Sequence, residues 1–195
     1  MRKHRLAILL SGRGSNFEAI ADAVASGAIP DSEIVAVLSD VPEAVGLQRA
    51  RARGLPAAAV DRKSSAGKRE HEAEMLRRLT EARPDLVCLA GYMRLLSPEF
   101  IARWRGRILN IHPALLPKFP GLHVQRRALE AGEKESGCTV HFVDEGTDTG
   151  PIVLQRRVPI LPGDTEESLS ARILAEEHRV YPEAIAKVLQ ASPPG

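Results

Sequence analysis

The sequence predicts an α/β fold, a single domain whose mostly parallel, Rossmann-like sheet is flanked by helices, with an antiparallel pair of strands in the C-terminal half. Three observations predict it. Short apolar runs alternate with amphipathic segments through the first half, the pattern of a parallel sheet with helical crossovers. The length, 195 residues, suits one domain at about 150 residues each. Two late strand-like runs are joined by a short Gly- and Asp-containing connection, which suits antiparallel pairing.

The elements follow in order. Leu6–Leu10 is continuously apolar, as a strand buried on both faces would be. Residues 15–26 read as a helix closed by Gly27, a C′ glycine. Ile34–Leu38 is a second strand, and Ala44–Arg53 is a helix closed by Gly54. Ala57–Val60 is a weak third strand. Lys68–Ala82 is a strong helix with Met75, Leu76 and Leu79 on one face, and Leu86–Leu89 is a fourth strand. Pro98–Trp104 is a short helix, Arg107–Ile111 a strand, and the proline-rich stretch Pro113–Gly121 a loop. Val124–Ala131 is helical. Thr139–Asp144 and Ile152–Pro159 are the antiparallel pair. Thr165 opens one or more amphipathic helices carrying Leu169, Ile173, Ile185 and Leu189, and residues 191–195 fray.

Composition narrows the function classes. Apolar residues are 44% and charged residues 27%, an ordinary soluble balance that excludes disordered, collagen-like and membrane-spanning classes. The net charge is +2, so a nucleic-acid partner is not expected. The N-terminus imitates a signal peptide, but its apolar run, Leu6–Leu10, falls short of the roughly 7–15 residues of a signal core. A cytoplasmic protein is expected. Cys88 and Cys138 sit in apolar or strand-like runs and read as buried structural thiols. His4, His71, His123, His141 and His178 lack metal-ligand spacing, so no metal is expected.

Two constellations carry chemistry. Ser11-Gly12-Arg13-Gly14-Ser15-Asn16 joins the first strand to the first helix. Small residues there let a ligand approach the backbone, and amides at a helix start bind phosphate. No lysine follows Gly14, so it is not an NTPase phosphate loop. Phe17 stands where the dinucleotide fingerprint needs its third glycine. Asp40, after the second strand, stands where a dinucleotide ribose could be held, but the missing third glycine weighs against that ligand. A phosphomonoester site and a plain turn with Ser15 or Asn16 as N-cap fit the local sequence equally.

Asn110-Ile111-His112-Pro113 closes a strand at its carboxyl end, where α/β sites gather. Asn110 and His112 project to one face because i and i+2 do so in a strand. Pro113 keeps His112 extended. Histidine shuttles protons near neutral pH, and an asparagine amide can donate to a developing oxyanion. No serine or cysteine nucleophile stands beside them, which points to acyl transfer by direct attack. Taken alone, His112 fits the ordinary role of satisfying a backbone carbonyl better. Asp148, in the loop that follows, reads by spacing as plain loop acidity.

The motifs together change that balance. Ser11–Asn16, Leu89–Pro98 (LAGYMRLLSP), Leu109–His123 (LNIHPALLPKFPGLH), Cys138–Asp144 (CTVHFVD), Asp148-Thr149-Gly150-Pro151, and Glu177-His178 ahead of Tyr181-Pro182 resemble the folate-dependent phosphoribosylglycinamide formyltransferases over Leu6–Val188. The resemblance implies transfer of a formyl group from 10-formyltetrahydrofolate, the co-substrate, to the amine of glycinamide ribonucleotide in purine biosynthesis. It implies His112 in proton transfer, Asn110 on the oxyanion, and Asp148 orienting His112 and favouring its cation. It places the ribonucleotide against Gly14, Ser15, Asn16 and Glu177. It places the folate against Arg69, Met93, Arg94, Leu95, Leu96, Asn110 and Asp144, with the loop Asp144–Asp148 closing over the pterin. It also implies a cis bond at Leu116–Pro117, the mark of a tightly specified turn.

The chain then divides into a phosphate-binding βαβ half over about 1–98 and a folate-binding, catalytic half over about 99–190. Partners are small-molecule substrates, with no nucleic acid or membrane, and the chain works as a monomer or homodimer. Two sister enzymes carry additional domains: methionyl-tRNA formyltransferase a C-terminal one, formyltetrahydrofolate hydrolase an N-terminal one. This sequence shows neither, which favours the ribonucleotide enzyme. A dinucleotide oxidoreductase conflicts with Phe17, and a non-catalytic nucleotide-binding module explains neither Asn110 nor His112.

Overall fold

The computed structural model describes residues 2–191. Residues 192–195, part of the stretch expected to fray, lie outside the described residues. The elements run β1 (His4–Leu10), α1 (Ser15–Ala25), β2 (Ser32–Ser39), α2 (Val45–Ala52), β3 (Ala57–Ala59), α3 (Lys68–Ala82), β4 (Leu86–Leu89), α4 (Pro98–Arg103), β5 (Ile108–His112), α5 (Val124–Glu130), β6 (Glu135–Phe142), β7 (Ile152–Pro159) and α6 (Glu166–Ala191).

One seven-stranded sheet has the order β3-β2-β1-β4-β5-β6-β7. The pairs from β3 through β5 are parallel. β5 with β6, and β6 with β7, are antiparallel. Thus β6 alone runs backwards, and the expected β6–β7 pair is present together with a β5–β6 pair. The strand order reverses direction between β1 and β4, so loops diverge there at the carboxyl edge and leave a crevice.

Period-two alternation divides the core between the two faces. Leu6, Ile8 and Leu10 of β1 meet Phe17 and Ile20 of α1, Leu47 of α2 and Ile173, Val180 and Ile185 of α6. Ala7 and Leu9 meet Met75 and Leu79 of α3 and Phe100 and Trp104 around α4. Burying each large aliphatic chain contributes about 1.5–3 kcal/mol. Within α6, Pro182 lacks the N–H that would continue the helical ladder, yet the helix runs on as one piece. Its neighbours Val180, Tyr181, Ala184 and Ile185 are fully buried. The Tyr181 hydroxyl lies 2.9 Å from the Leu89 carbonyl and 3.0 Å from that of Leu109, fastening the helix to β4 and β5.

Several boundaries differ from the sequence expectation, most instructively those of β1, β6 and α1. β1 begins at His4, since His4 and Arg5 pair with Ser32 and Glu33 despite their polarity. β6 begins at Glu135 and ends at Phe142, earlier at both ends than expected. Gly137 is required inside it, although glycine weakens strands in general: a Cβ there would stand 1.9 Å from the Arg156 carbonyl of β7. The N-cap of α1 is Gly14, in the left-handed region at φ 76°, so neither Ser15 nor Asn16 caps the helix. Gly27 closes α1 at φ 79°, and the Leu116–Pro117 bond is cis. Cys88 and Cys138 are free and buried, and burial pushes the Cys138 thiol up to about 12. Among the described residues, no helix is long and apolar enough to cross a membrane.

Candidate active site

β1, β4 and β5 are adjacent and parallel, so the segments leaving their carboxyl ends converge. Ser11 follows β1, Gly91–Leu96 follows β4, and His112 ends β5. Two hydrogen bonds stitch the first two segments together. The Ser11 amide donates to the Gly91 carbonyl (3.0 Å), and the Met93 amide donates to Ser11 Oγ (2.9 Å). The glycine loop and the Met93–Leu96 stretch are therefore one surface. Met93 and Leu95 are 69% and 72% exposed there, apolar side chains aligned beside a polar loop. Arg94 is exposed with them, and Leu96 is half-buried.

The glycine loop is set by contact as well as conformation. A Cβ on Gly14 would stand 2.6 Å from Gly46 Cα, and the Gly46 amide donates to the Gly12 carbonyl (3.0 Å). The first turn of α1 has no side-chain cap, which leaves its amides for an anion. Asn16 cannot cap because its side chain turns inward: Nδ2 donates to Glu177 Oε2 (2.7 Å). The Asn16 Oδ1 atom is buried without a partner. Glu177 is 7% exposed; burial pushes its carboxyl up, only partly opposed by the bond from Asn16. The structure thus brings together Gly14, Ser15, Asn16 and Glu177.

A second cluster forms where β5 meets β6. Asn110 pairs with His141 across the antiparallel ladder, and their side chains meet: Asn110 Nδ2 lies 3.3 Å from His141 Nε2. His141 Nδ1 lies 2.8 Å from the Phe142 carbonyl. A carbonyl only accepts, so Nδ1 carries a proton; Nε2 accepts from Asn110 when bare and donates to Asp148 when it too carries a proton. Asn110 keeps its second N–H. His112 Nε2 lies 2.9 Å from the Phe119 carbonyl, so it too donates. His112 Nδ1 lies 3.3 Å from Asp148 Oδ2, and Asp148 Oδ1 lies 3.6 Å from His141 Nε2. Both nitrogens of His112 therefore face acceptors, an arrangement that gives the imidazolium a partner for each N–H.

Asp148 adopts a left-handed backbone, φ 56°, and accepts from the Gly121 amide (2.9 Å). Burial alone would push its carboxyl up. The contacts from His141, the Gly121 amide and His112 outweigh burial and hold it below the usual carboxylate range. Spacing alone makes Asp148 an ordinary loop acid; the fold sets it between two histidines.

His141 is the member of this cluster that sequence reasoning missed. Its Asn110 partner lies 31 positions away, and no spacing rule spans an antiparallel pair whose register is unknown. The usable signal was its place in the Cys138–Asp144 motif. Asp144 is taken up within its own loop, accepting from the Gly146 amide (3.1 Å) and Thr149 Oγ1 (2.7 Å). Arg69 is exposed in the first turn of α3. Among the described residues its side chain makes no hydrogen bond or ion pair with either cluster, although Glu72, one turn on, accepts from the Ser97 amide (3.0 Å) beside Leu96. Neighbouring Lys68 pairs with Glu72 at 3.7 Å. Among the described residues, no group of three or more His, Cys, Asp or Glu side chains is arranged to hold a metal ion.

This sheet, with an Asn-x-His strand end facing a loop carboxylate, defines a class of group-transfer protein: a formyl transferase family model matches residues 4–185. Within that class, the chain belongs to the phosphoribosylglycinamide formyltransferase family. Phosphoribosylglycinamide formyltransferase of Escherichia coli (strain K12) is 42% identical over 93% of this chain and 85% of its own length. Glycinamide ribonucleotide transformylase 1 from Symbiobacterium toebii superposes with a TM-score of 0.94 at 49% identity, covering 97% of this chain and 89% of that one. The trifunctional purine biosynthetic protein adenosine-3 of Drosophila melanogaster is 53% identical over 98% of this chain, which spans only 14% of that longer protein.

Proposed function

We propose that the chain transfers the formyl group of 10-formyltetrahydrofolate to the amine of glycinamide ribonucleotide, releasing tetrahydrofolate. The observation that supports this best is the cluster of Asn110, His112, His141 and Asp148 beside an uncapped, glycine-led helix start. One part suits proton transfer and oxyanion stabilisation, the other a phosphate.

The phosphate sits on the amides of Gly14, Ser15 and Asn16, and Glu177 accepts from a ribose hydroxyl. The pterin lies against Met93, Arg94, Leu95 and Leu96, with Asp144 and its loop closing over it. Arg69 meets the folate's carboxylate tail. The amine attacks the formyl carbon directly: a new C–N bond forms, and the carbonyl electron pair moves onto oxygen. Asn110 donates its second N–H to that oxygen, a contact worth most when the charge is fully developed. The tetrahedral intermediate collapses by breaking the bond to N10 of the folate. His112, holding a proton on each nitrogen, gives its Nε2 proton to N10 and takes the proton of the attacking amine in its place, so charge and atoms balance.

To do this His112 exchanges one of its two contacts for substrate. The Phe119 carbonyl is the one that yields, because the alternative, Asp148, is held in turn by the Gly121 amide. Catalytic hydrogen bonds commonly reach their working geometry only with substrate bound.

Incubating the protein with both substrates and following tetrahydrofolate tests the assignment. Release that depends on the ribonucleotide is expected. Release without it would make the protein a hydrolase, and no release from folded protein would remove the activity altogether.

A further inference from the structure

The opposite edge of the sheet carries a second concavity. Arg2 precedes β1, Asp85 precedes β4 and Arg107 precedes β5, so all three lie at the amino ends of parallel strands. His112 and the glycine loop lie at the carboxyl ends. At about 3.3 Å per residue, the five-residue β5 alone sets His112 roughly 15 Å from the amino edge. Arg2, Arg83, Arg103, Arg107, Trp104 and Asp85 line most of a cleft of about 330 Å³ there, within the size range of small-molecule sites.

Four guanidiniums against one carboxylate give the cleft a strong positive field on a chain whose net charge is only +2. Two of the four have work within the protein. Arg2 pairs with Asp85 at 2.5 Å. Arg107 lies over the Trp104 ring, 4.6 Å from its centroid, and reaches the Arg103 carbonyl at 3.4 Å. The other two do not: among the described residues, the Arg83 and Arg103 guanidiniums have no hydrogen-bond or ion-pair partner.

The plain explanation for basic residues here is relief of the carbonyl ends of α3 and α4. That task is already done by others. Arg5 donates to the carbonyls of Ala82 (2.9 Å) and Arg83 (3.1 Å), and Arg107 serves the end of α4. Arg83 also occupies the left-handed C-cap of α3, φ 46°. Glycine or asparagine takes that position with less strain. The chain instead keeps a long cation there with nothing in the protein to bind. Trp104 is 5% exposed, and its indole Nε1 is buried without a partner, a second polar group that the protein leaves unsatisfied.

We infer that this amino-edge cleft is a binding site for a small polyphosphate anion, held by the guanidiniums of Arg83 and Arg103 with Arg2 and Arg107 at its sides. Planar guanidiniums grip phosphate oxygens in pairs. Adjacent phosphates match a field of several charges confined to one small cleft better than a single carboxylate does. The inference does not depend on the formyl-transfer assignment, since no residue of the cleft belongs to the substrate site.

Trp104 is the chain's single tryptophan, so its fluorescence reports on the cleft directly. The probe is inorganic tripolyphosphate, titrated at about 0.15 M salt, where exposed charges more than about 8 Å apart are screened. Saturable binding is expected, weakened at least tenfold in Arg83→Ala/Arg103→Ala. Formyl transfer in that double variant should stay within twofold of the parent, and circular dichroism should show the same fold. Tri-glutamate, a polycarboxylate of comparable charge, should bind at least tenfold more weakly than tripolyphosphate. Equal binding of the two would overturn the phosphate assignment. Absence of saturable binding, or unchanged binding in the double variant, would overturn the site. So would competition between tripolyphosphate and the ribonucleotide. Should the double variant misfold, Arg103→Gln alone gives the same test, with a loss of at least threefold expected.

Discussion

Two acidic side chains reach the carboxyl edge of the sheet from different elements, and their surroundings drive them apart. Glu177, on α6, is buried with one neutral donor, Asn16, and burial raises its carboxyl pKa. Asp148, on the β6–β7 loop, is also withdrawn from solvent. Two histidines and a backbone amide reverse the effect of burial and lower its pKa. The same functional group therefore becomes two tools. One is a poorly compensated acceptor that gains by meeting a ligand hydroxyl. The other is a fixed anion that, in the proposed reaction, orients His112. Burial alone does not assign a carboxylate its role; the donors around it do.

The sharpest way to break the Asp148 side of this comparison is to remove the base it orients. His112→Ala should lower kcat by about 10²–10⁴-fold, the usual span of general acid–base catalysis, with an unchanged circular dichroism spectrum. Activity close to wild type would leave Asp148 orienting nothing of consequence. Asn110→Ala should follow at about 10²–10³-fold in kcat, the cost of losing one oxyanion donor, with KM for both substrates within a few fold. A rise confined to KM would make Asn110 a binding residue only.

The Glu177 side should respond in binding. Asn16→Ala should raise KM for the ribonucleotide about tenfold, the equivalent of about 1.4 kcal/mol, and leave KM for the folate alone. If the folate term moves instead, the two pockets are exchanged.

The smallest effect distinguishes the carboxylates by pH. The raised pKa of Glu177 means that the folded state binds its proton more tightly than the unfolded state does. Stability from this group falls as pH rises above the ordinary carboxylate range, near 4.3. Glu177→Gln removes that loss, so the variant's Tm relative to wild type should climb between pH 4 and pH 8. Asp148 has the opposite sign: its contribution is present above the unfolded pKa, near 3.9, and disappears as pH falls through the lowered folded value. Asp148→Asn should thus lose most Tm relative to wild type above about pH 4 and converge with it toward pH 2. Parallel curves for the two variants would erase the distinction.

Much of this architecture was legible in the sequence, because the signals were local. α3 follows Gly67 and runs over the expected residues, with Met75 and Leu79 buried as its spacing implies. Gly27 and Gly54 stand just past the ends of their helices, and the cis bond lies where the resemblance put it. Of the site, Asn110 and His112 were readable from strand alternation and Gly14 from its loop. Asn16 and Glu177, 161 positions apart, could not be joined by any spacing rule. Neither could His141 be joined to Asn110 before the β5–β6 register was known. In both cases long-range pairing creates the environment, and local pattern carries no trace of it. The ordinary role for His112, satisfying a carbonyl, is also present, at Phe119. That contact coexists with the one to Asp148.

Direct attack by the ribonucleotide amine, with His112 moving the proton, is the central step of the proposed reaction. A single-turnover reaction with donor carrying a labelled formyl carbon, run on wild type and His112→Ala side by side, tests it most directly. The label should pass to the ribonucleotide amine in wild type at one equivalent per donor consumed, with none on the protein, and should stay on the folate in the variant. Label trapped on the protein, released as formate, or transferred at the wild-type rate by the variant would contradict it.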